Sequence, residues 1–198
     1  MTEFVMATQN KGKLAEVREI TEGAGARIIS MAEAGLAELD IEENGETCIE
    51  NSFIKADTVC RLTGKPALAD DTGLFVEALG GAPGVHAARY AGEIVDEAAN
   101  RALMLKELAG RSDRKAYFLC VLTLVYPGGE KHVMQGRCPG RIALAEKGDA
   151  GFGYDSLFIP DEDNPKGLTF AEMGTEEKNR VSHRAKALAI LKEYLASL

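Results

Sequence analysis

The sequence predicts an α/β fold in which a long mixed β-sheet carries helices on its faces. Three observations support this prediction. A short apolar segment at 4–7 is followed by a helical pattern at 14–20, an apolar segment at 66–69 follows a second helical pattern, and a β-rich segment at 116–126 returns through a hairpin. Strand and helix alternate in the first half, whereas the second half contains a hairpin. Together they indicate a mixed sheet and not a pure βαβ repeat.

The polar turn Thr8–Lys13 separates the first predicted strand, Phe4–Ala7, from the first predicted helix. The free amides and positive dipole of a helix N-terminus favour a phosphate, and Lys13 adds a full positive charge. The turn lacks the glycine and lysine spacing of a Walker A loop. A solvated surface turn that carries two lysines is the alternative interpretation.

A second predicted strand, Ala26–Ser30, is followed by an acidic turn at 41–46 and by a well-marked helix. Thr47 and Glu50 have the capping-box spacing, in which each side chain bonds to the backbone N–H of the other residue. Gly64 predicts the end of this helix, because glycine readily adopts the left-handed conformation that closes a helix.

Two charged residues near this helix have two interpretations each. Lys55 directly precedes Ala56, which belongs to the predicted buried face of this helix, so the Lys55 side chain borders that face. It either serves a site or is an ordinary solvated helix lysine. Glu42 is either a loop carboxylate in water or an oxygen ligand for a hard cation.

Two adjacent carboxylates, Asp70 and Asp71, end the next predicted strand, in the stretch Ala69–Leu74. Successive side chains on a strand point to opposite faces. We therefore expect only one of Asp70 and Asp71 to face a given site and the other to do something different. The alternative is an Asx-type turn, in which an aspartate caps its own backbone.

The segment Gly80–Gly84 is predicted to be a loop. The next predicted helix ends near Gly110 and buries Ala98, Ala102, Leu105 and Leu108. A strand at 116–126, a turn at 127–130 and a returning strand at 132–136 then form the predicted hairpin. A further strand at 138–145 is expected to be broken at Pro139-Gly140.

Aromatic residues lie between glycines in the stretch Gly151–Phe158. Flat rings with a polar handle suit a nucleobase, although most such aromatics close a hydrophobic core. Thr175–Lys178 is predicted to begin a helix, and Ser182 is a plausible N-cap for the last one. His183 and Arg184 would project from that helix start, either as donors to a ligand or as surface residues.

The 198 residues are predicted to form a single compact domain, 1–198, with two interleaved lobes. The net charge of −8 argues against a DNA or RNA polymer as a partner. Four separated cysteines suggest buried thiols in a reducing compartment and neither a zinc site nor a redox motif. No signal peptide or membrane span is predicted, so a cytoplasmic location is expected.

Six short motifs occur in order between Thr8 and Arg184. They are Thr8-x-Asn10-x-x-Lys13, Glu50-Asn51-x-x-x-Lys55-Ala56, Ala69-Asp70-Asp71-Thr72-Gly73-Leu74, Gly80-Gly81-Ala82-Pro83-Gly84, Phe152-Gly153-Tyr154-Asp155 and Ser182-His183-Arg184. In these motifs the sequence resembles the inosine triphosphate pyrophosphatase family. The resemblance implies two lobes around a long mixed sheet, a nucleotide cleft between the lobes and commonly a homodimer. It also implies magnesium-dependent hydrolysis of the triphosphates of inosine, deoxyinosine and xanthosine to the monophosphate and pyrophosphate.

The resemblance also assigns roles to individual residues. Glu42 and Asp71 match the metal ligands, and Asp71 matches the acceptor of the proton from the attacking water. Lys55 matches a catalytic residue at the phosphates. The positions that match substrate contacts are Thr8, Gln9, Asn10, Lys11, Gly12, Lys13, Thr72, Phe152, Gly153, Tyr154, Asp155, Lys178, His183 and Arg184.

Three positions depart from the pattern of this family. Thr72 stands where serine is usual, Ser156 replaces an expected proline, and Cys48 stands where an aromatic residue is expected. A looser aromatic loop is expected from Ser156, because proline would restrict the backbone there. Two other functions stay open: a nucleotide pyrophosphatase with a different base preference, and a noncatalytic nucleotide-binding protein.

Overall fold

The structure is a computed structural model that describes residues 2–198. Its strands are β1 (Thr2–Met6), β2 (Ala26–Ser30), β3 (Ala67–Val76), β4 (Pro83–Gly84), β5 (Lys115–Val125), β6 (Lys131–Ile142) and β7 (Phe158–Pro160). Its α-helices are α1 (Lys11–Thr21), α2 (Cys48–Thr63), α3 (Glu97–Glu107), α4 (Thr175–Val181) and α5 (His183–Ala196). Two short 3-10 helices lie at Glu77–Leu79 and Ala87–Arg89.

The seven strands form one mixed sheet, which confirms the predicted fold class. Its order is β2-β1-β3-β5-β6-β7, and β4 pairs with β3. Strand β1 is parallel to β2 and to β3. The pairs β3–β4 and β6–β7 are antiparallel. The parallel part therefore comes from the strand–helix alternation of the first third of the chain, as predicted.

Three predicted helix starts are confirmed by their caps. Asn10 caps α1 by accepting from the N–H of Gly12 and Lys13. The capping box of α2 is formed in both directions, with Glu50 N–H donating to the hydroxyl of Thr47 and Thr47 N–H donating to the carboxylate of Glu50. The hydroxyl of Ser182 accepts from the N–H of Ala185 at the start of α5.

Within the described residues, no helix has the length and apolar character needed to cross a membrane.

The chain divides into two compact units. The first contains the residues up to Asp71 together with Cys120–Gly136 and Lys186–Leu198, and the second contains Thr72–Leu119 and Arg137–Ala185. Each unit is thus assembled from separate stretches of the sequence.

In the first unit, alternate residues of β1 and β3 belong to two different core clusters. The even-numbered apolar residues of these strands pack with Val17 of α1 and Leu188 of α5. The odd-numbered ones pack with Ala56 and Val59 of α2. Side chains alternate between the faces of a strand, so α1 and α5 cover one face and α2 covers the other.

The second unit has an aromatic core. Phe118 packs edge-on against Phe158 with ring centroids 4.7 Å apart, and Phe170 lies 5.1 Å from Phe158. Met104 and Leu108 of the α3 segment are completely buried in the same cluster.

The prediction of which α3 residues are buried is wrong in part. Leu108 is buried, but Ala98 and Ala102 are exposed, and Asn100 is buried instead. The amide of Asn100 donates to Ala88 O at 2.9 Å and accepts from Ala91 N at 2.7 Å. This polar anchor turns the helix so that positions 100, 104 and 108 face inward.

The predicted break at Pro139-Gly140 is also wrong, because β6 is continuous through it. Gly140 pairs with Pro160 of β7, and the carbonyl of Pro139 accepts from Asp161 N at 3.1 Å. A Cβ atom built at Gly140 would lie 2.6 Å from the ring of Phe158. Glycine at this position therefore allows the close approach of β7.

We predict that Gly140→Ala lowers the free energy of unfolding by about 1–3 kcal/mol, because the added methyl group overpacks against Phe158 and the backbone of β7. Urea denaturation followed by circular dichroism measures this change. Gly128→Ala is the matched control, since a Cβ atom there meets no neighbouring atom within 4 Å. Equal stability of the two variants would contradict the packing argument.

Candidate active site

The C-terminal part of β3 sends its two aspartates to opposite faces of the sheet. Asp70 lies on the side of the even-numbered residues and pairs with Lys13 of α1, with Oδ2 and Nζ 2.7 Å apart. Asp71 lies on the side of α2, where its Oδ1 is 3.6 Å from Nζ of Lys55. Both aspartates are buried. The alternation predicted for this strand is therefore present, and each carboxylate faces a lysine.

The loop before α1 is held by its own side chains. Oδ1 of Asn10 accepts from the backbone N–H of Gly12 at 2.9 Å and of Lys13 at 3.1 Å. Oγ1 of Thr8 accepts from Asn10 N, and the amide of Gln9 donates to Leu39 O at 2.8 Å. Two amides at the helix start are thus used by the N-cap. Positive charge for an anion here comes mainly from Lys13 and the exposed Lys11.

Lys55 also contacts an acidic residue of the loop before α2. Its Nζ lies 2.7 Å from Oε2 of Glu43, and only 12 % of the Lys55 side chain is exposed. Burial lowers the pKa of Lys55, but the carboxylates of Asp71, Asp70 and Glu43 together raise it above its usual value. Lys55 therefore carries its positive charge at neutral pH.

Glu43 is the acidic residue that the sequence interpretation missed. Glu42, the predicted metal ligand, and its neighbour Glu43 are both exposed, but it is Glu43 that contacts Lys55. Both residues lie in an acidic loop without helical or strand periodicity. No signal in the sequence distinguishes them, because the path of the loop depends on tertiary contacts.

The environment of Asp71 disfavours the charged form of its carboxyl group. Burial raises the pKa of Asp71 to about 6, although the nearby Lys55 ammonium acts to lower it. The thiol of Cys48 also hydrogen-bonds to this carboxyl group and lowers its pKa. Oδ2 of Asp71 is buried and has no hydrogen-bond partner within residues 2–198. One oxygen of a nearly buried carboxylate is therefore available to an additional ligand.

In the second unit, the loop Gly151–Asp155 is shaped by a buried carboxylate. Oδ2 of Asp155 accepts from Phe152 N at 3.0 Å and from Nζ of Lys178 at 2.7 Å. The hydroxyl of Tyr154 donates to Ala87 O at 2.8 Å. Tyr154 and Asp155 are buried, whereas Phe152 is 52 % exposed. The loop thus presents one aromatic ring while its neighbours anchor it.

Cationic side chains surround this exposed ring. Nζ of Lys178 lies 5.4 Å from the centroid of Phe152, and the guanidinium carbon of Arg184 lies 5.8 Å from it. Both distances fit a cation–π contact. His183 stacks on Phe118, with ring centroids 4.5 Å apart and an interplanar angle of 15°.

The predicted site residues thus form two groups, one in each unit. The first unit brings together Lys13, Lys55, Asp70, Asp71 and the unpredicted Glu43. The second unit brings together Phe152, Asp155, Lys178 and Arg184. Thr72 follows Asp71 directly, and its Oγ1 is buried with no hydrogen-bond partner in the described part of the chain.

Comparison with known proteins identifies the family to which these features belong. The model of the Ham1 family matches residues 4–194. The chain belongs to the Ham1 family. This confirms the resemblance seen in the sequence motifs, because many curated proteins similar to this Ham1 chain are dITP/XTP pyrophosphatases.

The similarity extends over nearly the whole Ham1 chain. The dITP/XTP pyrophosphatase of Desulfotalea psychrophila is 47% identical over 189 residues, which are 96% of this chain and 83% of that protein. The corresponding protein of Geobacter sulfurreducens is 45% identical over 98% of this chain and 97% of its own length. The solved structure of a HAM1 protein from Coxiella burnetii covers 100% of both chains at 40% identity, with a TM-score of 0.92.

The acidic residues of this Ham1 chain can be tested for their fit to a divalent cation. Among residues 2–198, no three histidine, cysteine or acidic side chains are grouped as a ready-made metal site. Mg²⁺, however, is usually bound by one or two carboxylates together with waters and substrate phosphates. The buried Oδ2 of Asp71, which has no hydrogen-bond partner within residues 2–198, fits that kind of binding, since carboxylate oxygen is a preferred ligand of hard cations.

We predict that Asp71→Asn stabilises the free protein at pH 7.5 by on the order of 2 kcal/mol. The pKa of Asp71 in the folded chain, about 6, lies above its ordinary value of 3.8. The native carboxyl group therefore loses stability relative to the unfolded chain as the pH rises from about 4 through 6. A neutral amide does not have this loss, so most of the gain should disappear at pH 4.

Thermal and urea denaturation at pH 7.5 and pH 4, without added metal or nucleotide, measure this difference. Asp113→Asn is the control, because Asp113 is exposed and an amide oxygen can still accept from Lys115 N. A variant Asp71→Asn that is no more stable than the wild type at pH 7.5 would show that the buried charge is not destabilising.

Proposed function

We propose that this chain hydrolyses noncanonical purine nucleoside triphosphates, those of inosine, deoxyinosine and xanthosine, to the monophosphate and pyrophosphate. The observation that carries the proposal is the buried Asp71 carboxylate, with Lys55 3.6 Å from one oxygen and no hydrogen-bond partner for the other within residues 2–198. The names of the curated relatives point to the same reaction. The proposed substrates belong to the cytoplasmic nucleotide pool, and the whole chain acts as one catalytic domain.

The first unit supplies the groups for the triphosphate. The turn Thr8–Lys13 and the ammonium groups of Lys13 and Lys55 bind phosphate oxygens. When the bond between the α-phosphorus and its bridging oxygen breaks, negative charge moves onto the leaving pyrophosphate. Fixed positive charges stabilise that change more in a partly buried site than in water.

Asp71 is the proposed proton acceptor for the attacking water. Water adds to the α-phosphorus, the bond between the α-phosphorus and the bridging oxygen breaks so that pyrophosphate leaves with that oxygen, and the water proton passes to the Asp71 carboxylate. A pKa of about 6 leaves this carboxyl group ionised at neutral pH while keeping it a stronger base than a solvated aspartate. The reaction depends on positioning and needs no covalent nucleophile.

Mg²⁺ is the proposed cofactor. Asp71 would hold it together with the acidic loop, through Glu42 as the family pattern implies or through Glu43, which the structure places at Lys55. When bound, the cation would neutralise phosphate charge and polarise phosphoryl oxygens.

The second unit supplies the groups for the base. The exposed ring of Phe152 offers a stacking surface with Lys178 and Arg184 beside it, and His183, the neighbour of Arg184 in the sequence, stacks on Phe118. Hypoxanthine and xanthine have an acceptor oxygen at the purine 6-position, where adenine has an amino donor. Donors from His183 or Arg184 favour the oxygen and would be left unpaired against adenine.

The protein is also proposed to act as a homodimer. In the second unit, the half-buried rings of Phe75 and Tyr117 stack with centroids 4.9 Å apart, and Arg137 lies 3.8 Å above Tyr117. Aromatic residues and arginine are enriched in protein interfaces. A second copy of the chain is the proposed partner of this surface.

We predict a particle of twice the 21.2 kDa chain mass by size-exclusion chromatography with light scattering. Phe75→Asp should shift it to the monomer, because a charged group would be buried at the interface, and circular dichroism checks that the variant is folded. A wild type that is monomeric at micromolar concentration would refute the homodimer, and a dimeric Phe75→Asp would refute this surface.

The proposed reaction is tested by pyrophosphate release from a panel of triphosphates with Mg²⁺. We expect inosine, deoxyinosine and xanthosine triphosphates to exceed adenosine triphosphate in kcat/KM by at least about fivefold, since one unpaired donor costs about 1–3 kcal/mol. We also expect them to exceed thymidine and uridine triphosphates. A preference for thymidine or uridine triphosphate would indicate the alternative base preference.

Asp71→Asn is expected to lower kcat by at least about a hundredfold, because an amide cannot accept the proton. The variant should still bind inosine triphosphate, which calorimetry measures. A wild type that binds inosine triphosphate but releases no pyrophosphate would support the noncatalytic nucleotide-binding protein instead.

A further inference from the structure

The loop that presents Phe152 has unusual backbone freedom. Gly151 and Gly153 flank the ring with φ angles of +82° and +61°. Glycine samples these conformations at little cost but loses more conformational entropy than other residues when it is fixed. Residue 156 at the end of this stretch is serine, so the backbone there also lacks the ring constraint that a proline would impose. Other contacts are therefore needed to order the loop.

Arg101 of α3 supplies one such contact from outside the loop. Its guanidinium NH1 group donates to Gly153 O at 2.9 Å, between the two aromatic residues of the loop. Only 20 % of the Arg101 side chain is exposed. A charged donor that is largely shielded from water gives a stronger hydrogen bond than an exposed neutral one.

Two further residues fix the arginine in this position. Oε2 of Glu146 accepts from Nε of Arg101 at 2.9 Å and also from the hydroxyl of Ser156 at 3.1 Å. Glu97 lies 4.0 Å from the same guanidinium. Glu146 thus links α3 to the end of the loop, and this link uses the hydroxyl group that proline would lack.

We propose that Arg101, held by Glu146, which also accepts from Ser156, is a positioning residue for base recognition. It orders the loop around Phe152 before the substrate binds. This proposal rests on the proposed function, because it assigns the ordered ring to the nucleotide base. Arg101 itself contacts the carbonyl of Gly153 and has no assigned contact with the base.

The expected consequence concerns binding more than chemistry. Without Arg101, the two glycines leave the loop with many conformations, and binding must then order it. KM for the nucleotide should rise, whereas kcat should change little, because Asp71 and Lys55 lie in the other unit. Phe152 N–H should also exchange faster, since its bond to Asp155 depends on an ordered loop.

The test uses Arg101→Met, which keeps a long side chain but removes both hydrogen bonds. Hydrogen–deuterium exchange of the peptide that covers 148–157 is measured on the free protein, and steady-state kinetics are measured with inosine triphosphate. We expect exchange at least about fivefold faster and KM raised about tenfold with kcat within about threefold of wild type. Arg141→Met is the control, because Arg141 pairs with Asp161 on the exposed surface.

Glu146→Gln distinguishes a linked set from separate contacts. The double variant of Arg101→Met with Glu146→Gln should have about the same KM as Arg101→Met alone, because the arginine contact is already lost and the amide oxygen of glutamine can still accept from the Ser156 hydroxyl. Additive effects would contradict this linkage. Unchanged exchange in Arg101→Met would overturn the ordering role, and faster exchange with unchanged KM would overturn its link to the base.

The exchange measurement separates this proposal from the proposed function. If the wild type releases no pyrophosphate, the proposed function fails, and calorimetric binding of inosine triphosphate to Arg101→Met replaces the kinetic measurement. Affinity equal to that of the wild type would then overturn the role in base recognition.

Discussion

The arrangement of the candidate site depends on the alternation of side chains along β3. Adjacent aspartates on one strand face opposite sides, and each side is covered by a helix that carries a lysine. Asp70 meets Lys13 of α1, and Asp71 meets Lys55 of α2. A shift of one residue in the register of β3 would exchange the two faces. The pairing of β1 with Ala67 and the two core clusters therefore also fix the chemistry at the end of the strand.

Charge explains why this strand end is suited to a further cation. Three carboxylates, those of Asp70, Asp71 and Glu43, share the ammonium groups of Lys13 and Lys55, which leaves one negative charge in excess. Burial makes that excess unfavourable, and the raised pKa of Asp71 reflects it. A cation would lower this cost, whereas a neutral ligand would not. The same residues that weaken the free protein thus favour binding of a metal with its phosphates.

The sequence predicted those features of the fold and the site that depend only on residues close together in the chain. The capping box at Thr47 and the opposite orientations of Asp70 and Asp71 follow from neighbouring residues, so spacing alone located them. The buried face of α3 was not predictable in this way. Asn100 is buried because distant backbone groups satisfy its amide, and an apolar pattern contains no sign of them. Arg101 was missed for a similar reason, since an arginine on a helix ordinarily lies in solvent.

The three positions that depart from the expected family pattern are not equivalent in physical terms. The thiol of Cys48, where the resemblance leads us to expect an aromatic side chain, hydrogen-bonds to Asp71. The hydroxyl group of Ser156, where the resemblance leads us to expect proline, donates to Glu146. Each of these two side chains makes a directed polar contact near a proposed site. Thr72 differs, because its hydroxyl group is buried without a hydrogen-bond partner within residues 2–198. An unpaired buried hydroxyl group costs stability. Thr72 is therefore retained at a cost that a substrate oxygen could offset.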